Sequence, residues 1–253
     1  MVDIHSHILP GIDDGSSDIE ETITMVKEAY KSGFTKIIST SHYYLRHYEV
    51  NESIRIECIN EINNRLKEIG CDMQVFPGSE IYFTNDIINL LADHEASSMN
   101  SSRYVLFETS FIEQPDNFID VVYSLLSNNY IPILAHPERY KYVQKDPNIL
   151  LELLELGVLL QSNYGSIIGQ YEKEAQKTVK LLLKNNFIHF LGSDAHRKDT
   201  TYPYIPRVIE ELEDIISERK IEELTEINPN SILQNEEIET RTPTKIKKGL
   251  FGF

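Results

Sequence analysis

Short apolar runs and longer amphipathic stretches alternate along this chain, and the alternation limits the folds that it can adopt. The runs predict seven β-strands whose starts lie about 30 residues apart, as expected of repeated strand–helix units. The predicted strands are Val2–Ile4, Lys36–Thr40, Met73–Phe76, Tyr104–Phe107, Ile131–Ala135, Val158–Gln161 and Ile188–Leu191. Such alternation favours a parallel sheet covered by helices.

Helical periodicity fills the segments between these strands. In Asn51–Ile69, for example, Ile54, Cys58 and Ile62 fall on one stripe, and Gly70 follows as a helix-ending residue. The other predicted helices are Asp18–Ser32, Phe118–Ser127, Asn148–Leu156, Tyr171–Lys184, Ile205–Ser217 and Ile221–Glu226.

Imidazole and carboxylate side chains stand where most of the predicted strands end. His5 and His7 are two residues apart on a strand and therefore point to one face, and Asp194 and His196 repeat this spacing after the last strand. The other strand-end candidates are His42, Glu80, Glu108 and His136. In a β/α barrel the strand ends converge on one face where catalytic residues collect. The pattern predicts a multinuclear metal centre and hence a metallohydrolase.

The number of contributing strands bears on the architecture. An open doubly wound sheet would feed its site from two or three strands at a switch point, whereas at least six strands contribute here. We therefore expect a closed α/β barrel with its site at the C-terminal ends of the strands.

Three further carboxylates lie close to the first histidine pair. Asp13 and Asp14 occupy a turn whose chemistry alone explains them, because Asp and Gly favour tight turns, although Asp14 could reach a metal from that loop. Asp3 shares a face with His5 and is predicted to orient a histidine.

Arg139 follows the candidate ligand His136 closely and suits forked recognition of phosphate oxygens. A salt bridge with a nearby acid such as Glu138 is the alternative. Weaker cation candidates are Arg46, Arg197 and Arg207. We expect the segment Gln161-Ser162-Asn163-Tyr164 to line the substrate pocket, and His47, His94 and His189 to be structural or exposed.

Composition and motifs exclude several classes of function. The formal net charge of −16 argues against a nucleic-acid backbone as the main partner. No apolar run is long enough to span a membrane and no secretory signal is present, so we expect a cytoplasmic protein without membrane insertion. Cys58 lies within a predicted helix and Cys71 has no arginine nearby, which excludes a cysteine-based phosphatase.

Six ordered motifs resemble the polymerase and histidinol phosphatase (PHP) superfamily, in particular its bacterial metal-dependent tyrosine-protein phosphatase branch (CpsB/CapC type). The motifs are Asp3-Ile4-His5-Ser6-His7, Thr40-Ser41-His42, Gly78-Ser79-Glu80-Ile81-Tyr82, Tyr104-Val105-Leu106-Phe107-Glu108, Ala135-His136-Pro137-Glu138-Arg139-Tyr140 and Ser193-Asp194-Ala195-His196. The resemblance implies a distorted seven-stranded (β/α)7 barrel over residues 1–233 and three divalent metal ions, expected to be Mn²⁺ with Fe or Zn as alternatives.

The resemblance also implies roles for individual residues. The first metal would be held by His5, His7, Glu80 and Asp194, the second by Glu80, Glu108 and His136, and the third by Asp14, His42 and His196. Arg139 would hold the phosphoryl group, and either Asp194 or His196 could protonate the leaving oxygen.

The implied substrate is the phosphotyrosine-containing tail of a bacterial tyrosine kinase that controls capsule or exopolysaccharide synthesis. Hydrolysis of a small phosphoester such as histidinol phosphate is the alternative, and a metal-binding regulatory module is a third hypothesis. Residues 234–253 are expected to form a partly disordered tail or an arm that docks on a neighbouring subunit or partner. The sequence leaves the oligomeric state open.

Overall fold

The computed structural model describes residues 1–247 and consists of parallel strands alternating with helices. The strands are β1 (Val2–Asp3), β2 (Lys36–Ser39), β3 (His42–Tyr43), β4 (Gln74–Pro77), β5 (Glu80–Tyr82), β6 (Tyr104–Glu108), β7 (Ile131–Ala135), β8 (Leu159–Asn163) and β9 (Phe190–Gly192). The helices are α1 (Ile19–Lys31), α2 (Glu52–Glu68), α3 (Ile87–Ala92), α4 (Phe118–Ser127), α5 (Lys141–Lys145), α6 (Leu150–Leu156), α7 (Tyr164–Ile167), α8 (Lys173–Lys184), α9 (Ile205–Glu213), α10 (Glu218–Glu222) and α11 (Asn228–Gln234).

Every pair of neighbouring strands is parallel, in the orders β1-β2-β4 and β3-β5-β6-β7-β8-β9. The segments that follow β1 and β9 also meet, because the His7 N–H donates to the Ala195 carbonyl at 3.0 Å and the Asp194 N–H donates to the His5 carbonyl at 2.8 Å. The result is a curled parallel sheet in a mixed α/β fold, which confirms the predicted α/β class.

Two predicted strands are each followed by a further short strand after a break. The ladder continues across these breaks, since the Thr40 N–H donates to Ser6 at 2.8 Å and the Glu80 N–H donates to Thr40 at 2.9 Å. Gly78 permits one break, because a Cβ there would lie 3.1 Å from Ile38 and 3.2 Å from Thr40. Residues 1–247 therefore contain nine short strands where the sequence predicted seven.

The strands are buried on both faces, which explains why the sequence shows continuous apolar runs. Along β6, Tyr104 and Leu106 belong to a small cluster on the inner face of the sheet, whereas Val105 and Phe107 pack into the larger core beneath the helices. Because side chains alternate between the two faces of a strand, the polar residues at the strand ends point into one opening of the curled sheet, which we call the mouth.

The C-terminal region departs from the predicted helices. The helix predicted over Ile205–Ser217 ends at Glu213, and the one predicted over Ile221–Glu226 is replaced by α10, a π-helical turn over Glu223–Ile227 and α11. Pro229 contributes to this, because it cannot donate the backbone hydrogen bond that a continuous α-helix requires.

Residues 235–247, within the predicted tail, lie against the same chain. The Tyr104 hydroxyl donates to the Glu236 carbonyl, and the Asn148 side chain makes hydrogen bonds of 3.0 and 2.8 Å with the backbone of Ile246. The last six residues of the predicted tail lie outside the described residues. Within residues 1–247, none of the helices combines the length and apolarity needed to cross a membrane.

Candidate metal centre

The first histidine pair lies at the bottom of the mouth, where both side chains are fully buried. The Nε2 atoms of His5 and His7 are 3.2 Å apart and lie 3.2 and 3.3 Å from Glu80 Oε2. Asp194 Oδ1 lies 3.6 and 3.5 Å from the same two nitrogens. Four predicted ligands thus present their donor atoms to one small volume.

Glu80 also faces a second group of side chains. Its Oε2 lies 3.1 Å from His42 Nδ1 and its Oε1 lies 2.9 Å from His136 Nε2. Glu108 completes this group at 3.4 Å from the His42 nitrogen and 3.8 Å from the His136 nitrogen. Glu80 therefore faces both groups, because Oε2 lies near imidazoles of each group and Oε1 lies near His136.

A third group lies nearer to solvent. Asp14 Oδ1 is 3.6 Å from His42 Nε2 and 3.5 Å from His196 Nε2, and the ring of His7 stacks on that of His196 at 3.9 Å. The structure thus brings together all nine predicted ligands: His5, His7, Asp14, His42, Glu80, Glu108, His136, Asp194 and His196.

The donor set fits divalent cations. Ligand atoms bound about 2.0–2.3 Å from one ion lie roughly 3–3.5 Å from one another, close to the separations observed here. Glu80 Oε2 is buried without a hydrogen-bond partner, although three imidazoles surround it. Such an unsatisfied carboxylate oxygen is costly to bury, and a cation at this position would satisfy it.

The charges of the carboxylates support the same conclusion. Burial raises the pKa of Glu80, but the charges of His5 and His42 outweigh this and hold it well below its usual value. Burial, with repulsion from Glu80 and Asp194, raises the pKa of Glu108 well above its usual value. Without a cation, therefore, the cluster does not readily hold all its carboxylates in the ionised form that binds metals.

His42 carries the opposite shift. Burial, followed by the charge of His7, lowers the pKa of His42 to about 4. The imidazole is consequently neutral at neutral pH, which is the state in which histidine binds a metal.

Two neighbouring side chains orient the first histidine pair. Asp13 Oδ2 lies 2.9 Å from His7 Nδ1, and Gln161 Oε1 lies 2.7 Å from His5 Nδ1. Each contact directs the Nε2 atom of its histidine into the cluster. Gln161 therefore orients a histidine, beyond the pocket-lining role expected of it.

The prediction that Asp3 orients a histidine ring is wrong. Its carboxylate accepts hydrogen bonds from the backbone N–H groups of His5 and Ser193 at 3.3 and 2.9 Å and from the Tyr202 hydroxyl at 2.8 Å. The Asp3 carboxylate therefore holds the backbone at His5 and Ser193, and within residues 1–247 it accepts no hydrogen bond from an imidazole ring.

The peptide groups on both sides of His42 are fixed by buried charges. Asp13 Oδ2 accepts from the His42 N–H at 2.8 Å, while Arg55 donates to the carbonyls of Ser41 and His42 at 2.8 Å each and to that of Val50 at 2.9 Å. Arg55 is fully buried on α2, and burial lowers its pKa to about 10. Within residues 1–247, no carboxylate forms an ion pair with it.

Arg139 lies at the edge of the cluster and donates from Nη1 to Asp194 Oδ2 at 2.8 Å. Its guanidinium is enclosed between the rings of Phe111 and Tyr171, at 4.7 and 4.4 Å from their centroids. The alternative, a salt bridge with a nearby acid, is present, but its partner is Asp194 and not Glu138. Glu138 Oε1 accepts instead from the Asn163 N–H and the Ser166 hydroxyl.

The Asp194 carboxylate is divided between two sets of partners. Oδ2 accepts from Arg139 and, at 2.7 Å, from the Asn163 amide, while Oδ1 faces the imidazoles. Burial raises the pKa of Asp194, but the charge of His5 and a contact with His7 hold it well below its usual value. Asp194 is thus ionised, which disfavours it as a proton donor.

Two of the site residues have left-handed backbone conformations. His136, directly after β7, has φ of 33°, and Asp194, soon after β9, has φ of 51°. Non-glycine residues adopt this region at a cost and often do so at functional sites.

The other cation candidates stand apart from the cluster. Arg46, Arg197 and Arg207 are exposed, and Arg197 donates to the backbone carbonyl of His196 at 3.1 Å. His94 is exposed and pairs with Glu52, whereas His189 is buried beside β8 and β9.

Sequence reasoning missed Arg55, Phe111 and Tyr171 as neighbours of the site, whereas Asn163 belongs to the segment expected to line the pocket. Each of the three missed residues comes from a different segment and meets the cluster only through tertiary packing. Asp13 was noted as a turn residue, and its position six residues after His7 was the one local signal of its contact.

Comparison with known proteins agrees with this geometry. The family described as "Capsular polysaccharide synthesis, CpsB/CapC" matches residues 1–234. The tyrosine-protein phosphatase YwqE of Bacillus subtilis is 33% identical over 254 residues, covering 100% of both chains. The putative tyrosine-protein phosphatase CapC of Staphylococcus aureus is 34% identical, covering 97% of this chain and 96% of its own.

Solved structures show the same similarity. One from work on YwqE of Bacillus subtilis and CpsB of Streptococcus pneumoniae, described as unique metal-dependent tyrosine phosphatases, superposes with a TM-score of 0.91 at 32% identity, covering 98% of this chain and 100% of that one. A histidinol phosphate phosphatase from Lactococcus lactis shares the fold alone, with a TM-score of 0.55, 16% identity and coverage of 85% and 94%. On the family match across residues 1–234 and the relatives that align over nearly their full lengths, the chain belongs to the CpsB/CapC family of capsular polysaccharide synthesis proteins.

Proposed function

We propose that this chain is a metal-dependent protein-tyrosine phosphatase. The observation that carries the proposal is the cluster of nine imidazole and carboxylate ligands, buried around the unpartnered Glu80 Oε2 and opening to solvent at Asp14, with the guanidinium of Arg139 at its edge. The full-length relatives named as tyrosine-protein phosphatases support the same activity.

We assign three divalent ions to the cluster. His5, His7, Glu80 and Asp194 would hold the first, Glu80, Glu108 and His136 the second, and Asp14, His42 and His196 the third. Donor atoms within 4.8 Å of one another in His5, His7 and Glu80, and in Asp14, His42 and His196, support the first and third positions. The second position rests on the distances from His136 Nε2 to Glu80, 2.9 Å, and to Glu108, 3.8 Å. The four carboxylates make the site hard, which favours Mn²⁺ over Zn²⁺, with Fe as a further alternative.

The chain's own residues would position the substrate and exclude competing chemistry. Metal ions at such a site activate water for attack on phosphorus and neutralise charge on the phosphoryl oxygens. Arg139 would donate its planar fork to those oxygens, while Asn163 holds Asp194 in place.

Neither predicted proton donor is well placed. Asp194 is ionised, and His196 Nδ1 lies 2.9 Å from the Asp194 carbonyl, which directs Nε2 toward Asp14 as a ligand. A phenolate leaves more readily than an alkoxide, because the pKa of tyrosine is about 10. We therefore propose that the site favours an aryl phosphate and needs no strong general acid.

For the substrate we propose the phosphotyrosine-containing tail of a bacterial tyrosine kinase in capsule or exopolysaccharide synthesis. The family description and the relatives' names support the link to capsule synthesis. A cytoplasmic location would give the enzyme access to such a tail.

We further propose that the nine strands act as a distorted seven-stranded barrel over residues 1–233, with residues 234–253 as an appended tail. The support is that β2 and β3, and likewise β4 and β5, are consecutive parts of one chain path, and that Ser6 pairs with Ala195 between the two ends of the sheet.

The test offers purified protein phosphotyrosine, phosphoserine and histidinol phosphate at equal concentration, alongside metal analysis. We expect bound divalent metal and a clear preference for phosphotyrosine. Preference for histidinol phosphate would move the chain to a small-molecule phosphatase, and metal binding without turnover of any substrate would indicate a regulatory module.

A further inference from the structure

A pocket of about 340 Å³ opens beside the candidate metal centre and contains none of its nine ligands. Its walls include Phe111, Arg139, Tyr171 and Ala175. Its volume falls in the range of pockets that bind ligands.

The pocket and the metal centre share a wall. The Phe111 ring stacks on that of His136, with centroids 5.6 Å apart, and Arg139 reaches Asp194 from the same wall. One layer of side chains therefore separates the pocket from the candidate ligands. A molecule that is bound at the metal centre and extends along the surface would therefore cross this layer and reach the pocket.

The surroundings of the pocket favour an uncharged occupant. Lys141 and Glu172 on its rim pair with each other, and the charge of Arg139 is satisfied by Asp194 and by the faces of two aromatic rings. The apolar surface continues outward from the pocket, because Phe111 is 38% exposed and the adjacent Ile112 is 71% exposed. Contiguous exposed apolar surface of this kind marks binding sites.

We propose that this pocket is a subsite for one large apolar side chain of the substrate polypeptide, within two residues of the phosphotyrosine. The pocket lies one side-chain layer from the candidate ligands, because Phe111 in its wall stacks on His136. An extended chain rises about 3.3 Å per residue, so the residues within two positions of the phosphotyrosine are the ones close enough to enter it. The inference rests on the proposed phosphatase function and adds a sequence preference to it.

The test compares five phosphotyrosine peptides: one with glycine at all flanking positions and four with a single leucine at −2, −1, +1 or +2. We expect leucine at one position to raise kcat/KM about tenfold, mainly by lowering KM, because burial of a leucine side chain contributes binding energy that glycine lacks. Free phosphotyrosine serves as the substrate that has no flanking side chain.

Two variants fill or cover the pocket without replacing any proposed catalytic residue. Ala175→Leu fills it from α8, and Glu172→Tyr covers it from an exposed position, so that the second variant decides the outcome if the first does not fold. Lys177→Leu places an apolar side chain at an exposed position of the same helix that does not line the pocket.

We expect the leucine preference to disappear in both pocket variants and to persist in Lys177→Leu, with hydrolysis of free phosphotyrosine unchanged in all three. The subsite is refuted if no leucine position changes kcat/KM more than twofold, or if the preference survives in the folded pocket variants. Failure of the wild type to hydrolyse any of the phosphotyrosine peptides or free phosphotyrosine would instead overturn the proposed function, and the subsite with it.

Discussion

Arg139 and Asp194 form an ion pair of 2.8 Å at the edge of the ligand cluster, between two aromatic rings that enclose the guanidinium. The pair leaves Asp194 Oδ1 facing the imidazoles. It also holds Arg139 next to the position that a phosphoryl group would occupy beside the proposed metals. The rings limit the movement of the guanidinium, so Arg139 is prepositioned for a planar, forked contact.

Replacement of Arg139 by Ala should therefore lower kcat/KM for a phosphotyrosine peptide by roughly 100-fold, because a donor to the transition state is lost. Arg139→Lys should recover only part of the activity, since an ammonium group cannot reproduce the fork. Steady-state kinetics on both variants, with metal content measured in parallel, checks this. Equal activity of Arg139→Ala and the wild type would remove Arg139 from the phosphate site.

Glu80 faces both groups of histidines at the bottom of the mouth, so its removal should affect more than one metal position. We expect Glu80→Ala to lose activity and more than one equivalent of bound metal while it keeps the circular dichroism of a folded α/β protein. Glu20→Ala, on the exposed side of α1, is the control. Full metal content in Glu80→Ala would contradict its bridging role.

The thiols should be dispensable if the metal centre carries the chemistry. Cys58 and Cys71 are half-buried free cysteines, and burial raises the pKa of the Cys58 thiol. We expect Cys58→Ser and Cys71→Ser to keep turnover, whereas a chelator should abolish it and Mn²⁺ should restore it. A trapped phosphocysteine would overturn this mechanism.

The sequence was most informative where ligands follow the end of an apolar run. The two-residue spacing of His5 and His7 predicted their common direction although both lie after β1, and the positions of Glu108 and His136 follow from the ends of two apolar runs. Arg55 could not be predicted in this way, because its role depends on how α2 packs beneath the loop after His42. The two-residue strand β3 is too short to give a periodic signal of its own.

The contacts of Arg55 predict a specific effect on metal binding. Arg55→Met would leave the carbonyls of Ser41 and His42 without their donor, and His42 would lose its fixed position. We expect metal affinity to fall by about tenfold or more, as for other residues that support ligands. Ile59→Ala, at a buried position of the same helix, should destabilise the fold but keep the affinity of the folded protein. Equal affinities in the two variants would reduce Arg55 to a structural residue.

His189 predicts a pH dependence of stability that arises away from the metal centre. The imidazole is buried, its Nδ1 accepts from the Leu160 N–H at 3.1 Å, and burial together with the charge of Lys220 lowers its pKa to about 3. The folded state therefore keeps His189 neutral where the unfolded state, with a pKa of about 6.5, already takes up a proton. The free energy of unfolding should fall as the pH drops from about 6.5 toward 3, and the part due to His189 should reach about 2 kcal/mol at pH 5.

Urea unfolding of the wild type and His189→Gln at pH 7 and pH 5 measures this contribution. Chelator in all samples removes the metal contribution, and the remaining titrating groups are common to both proteins and cancel in the comparison. Gln at this position offers an amide oxygen to the Leu160 N–H but takes up no proton in this range. The loss of stability between pH 7 and pH 5 should be smaller in His189→Gln by about 2 kcal/mol. Equal losses in the two proteins would show that His189 can be protonated in the folded state, against the environment that the structure gives it.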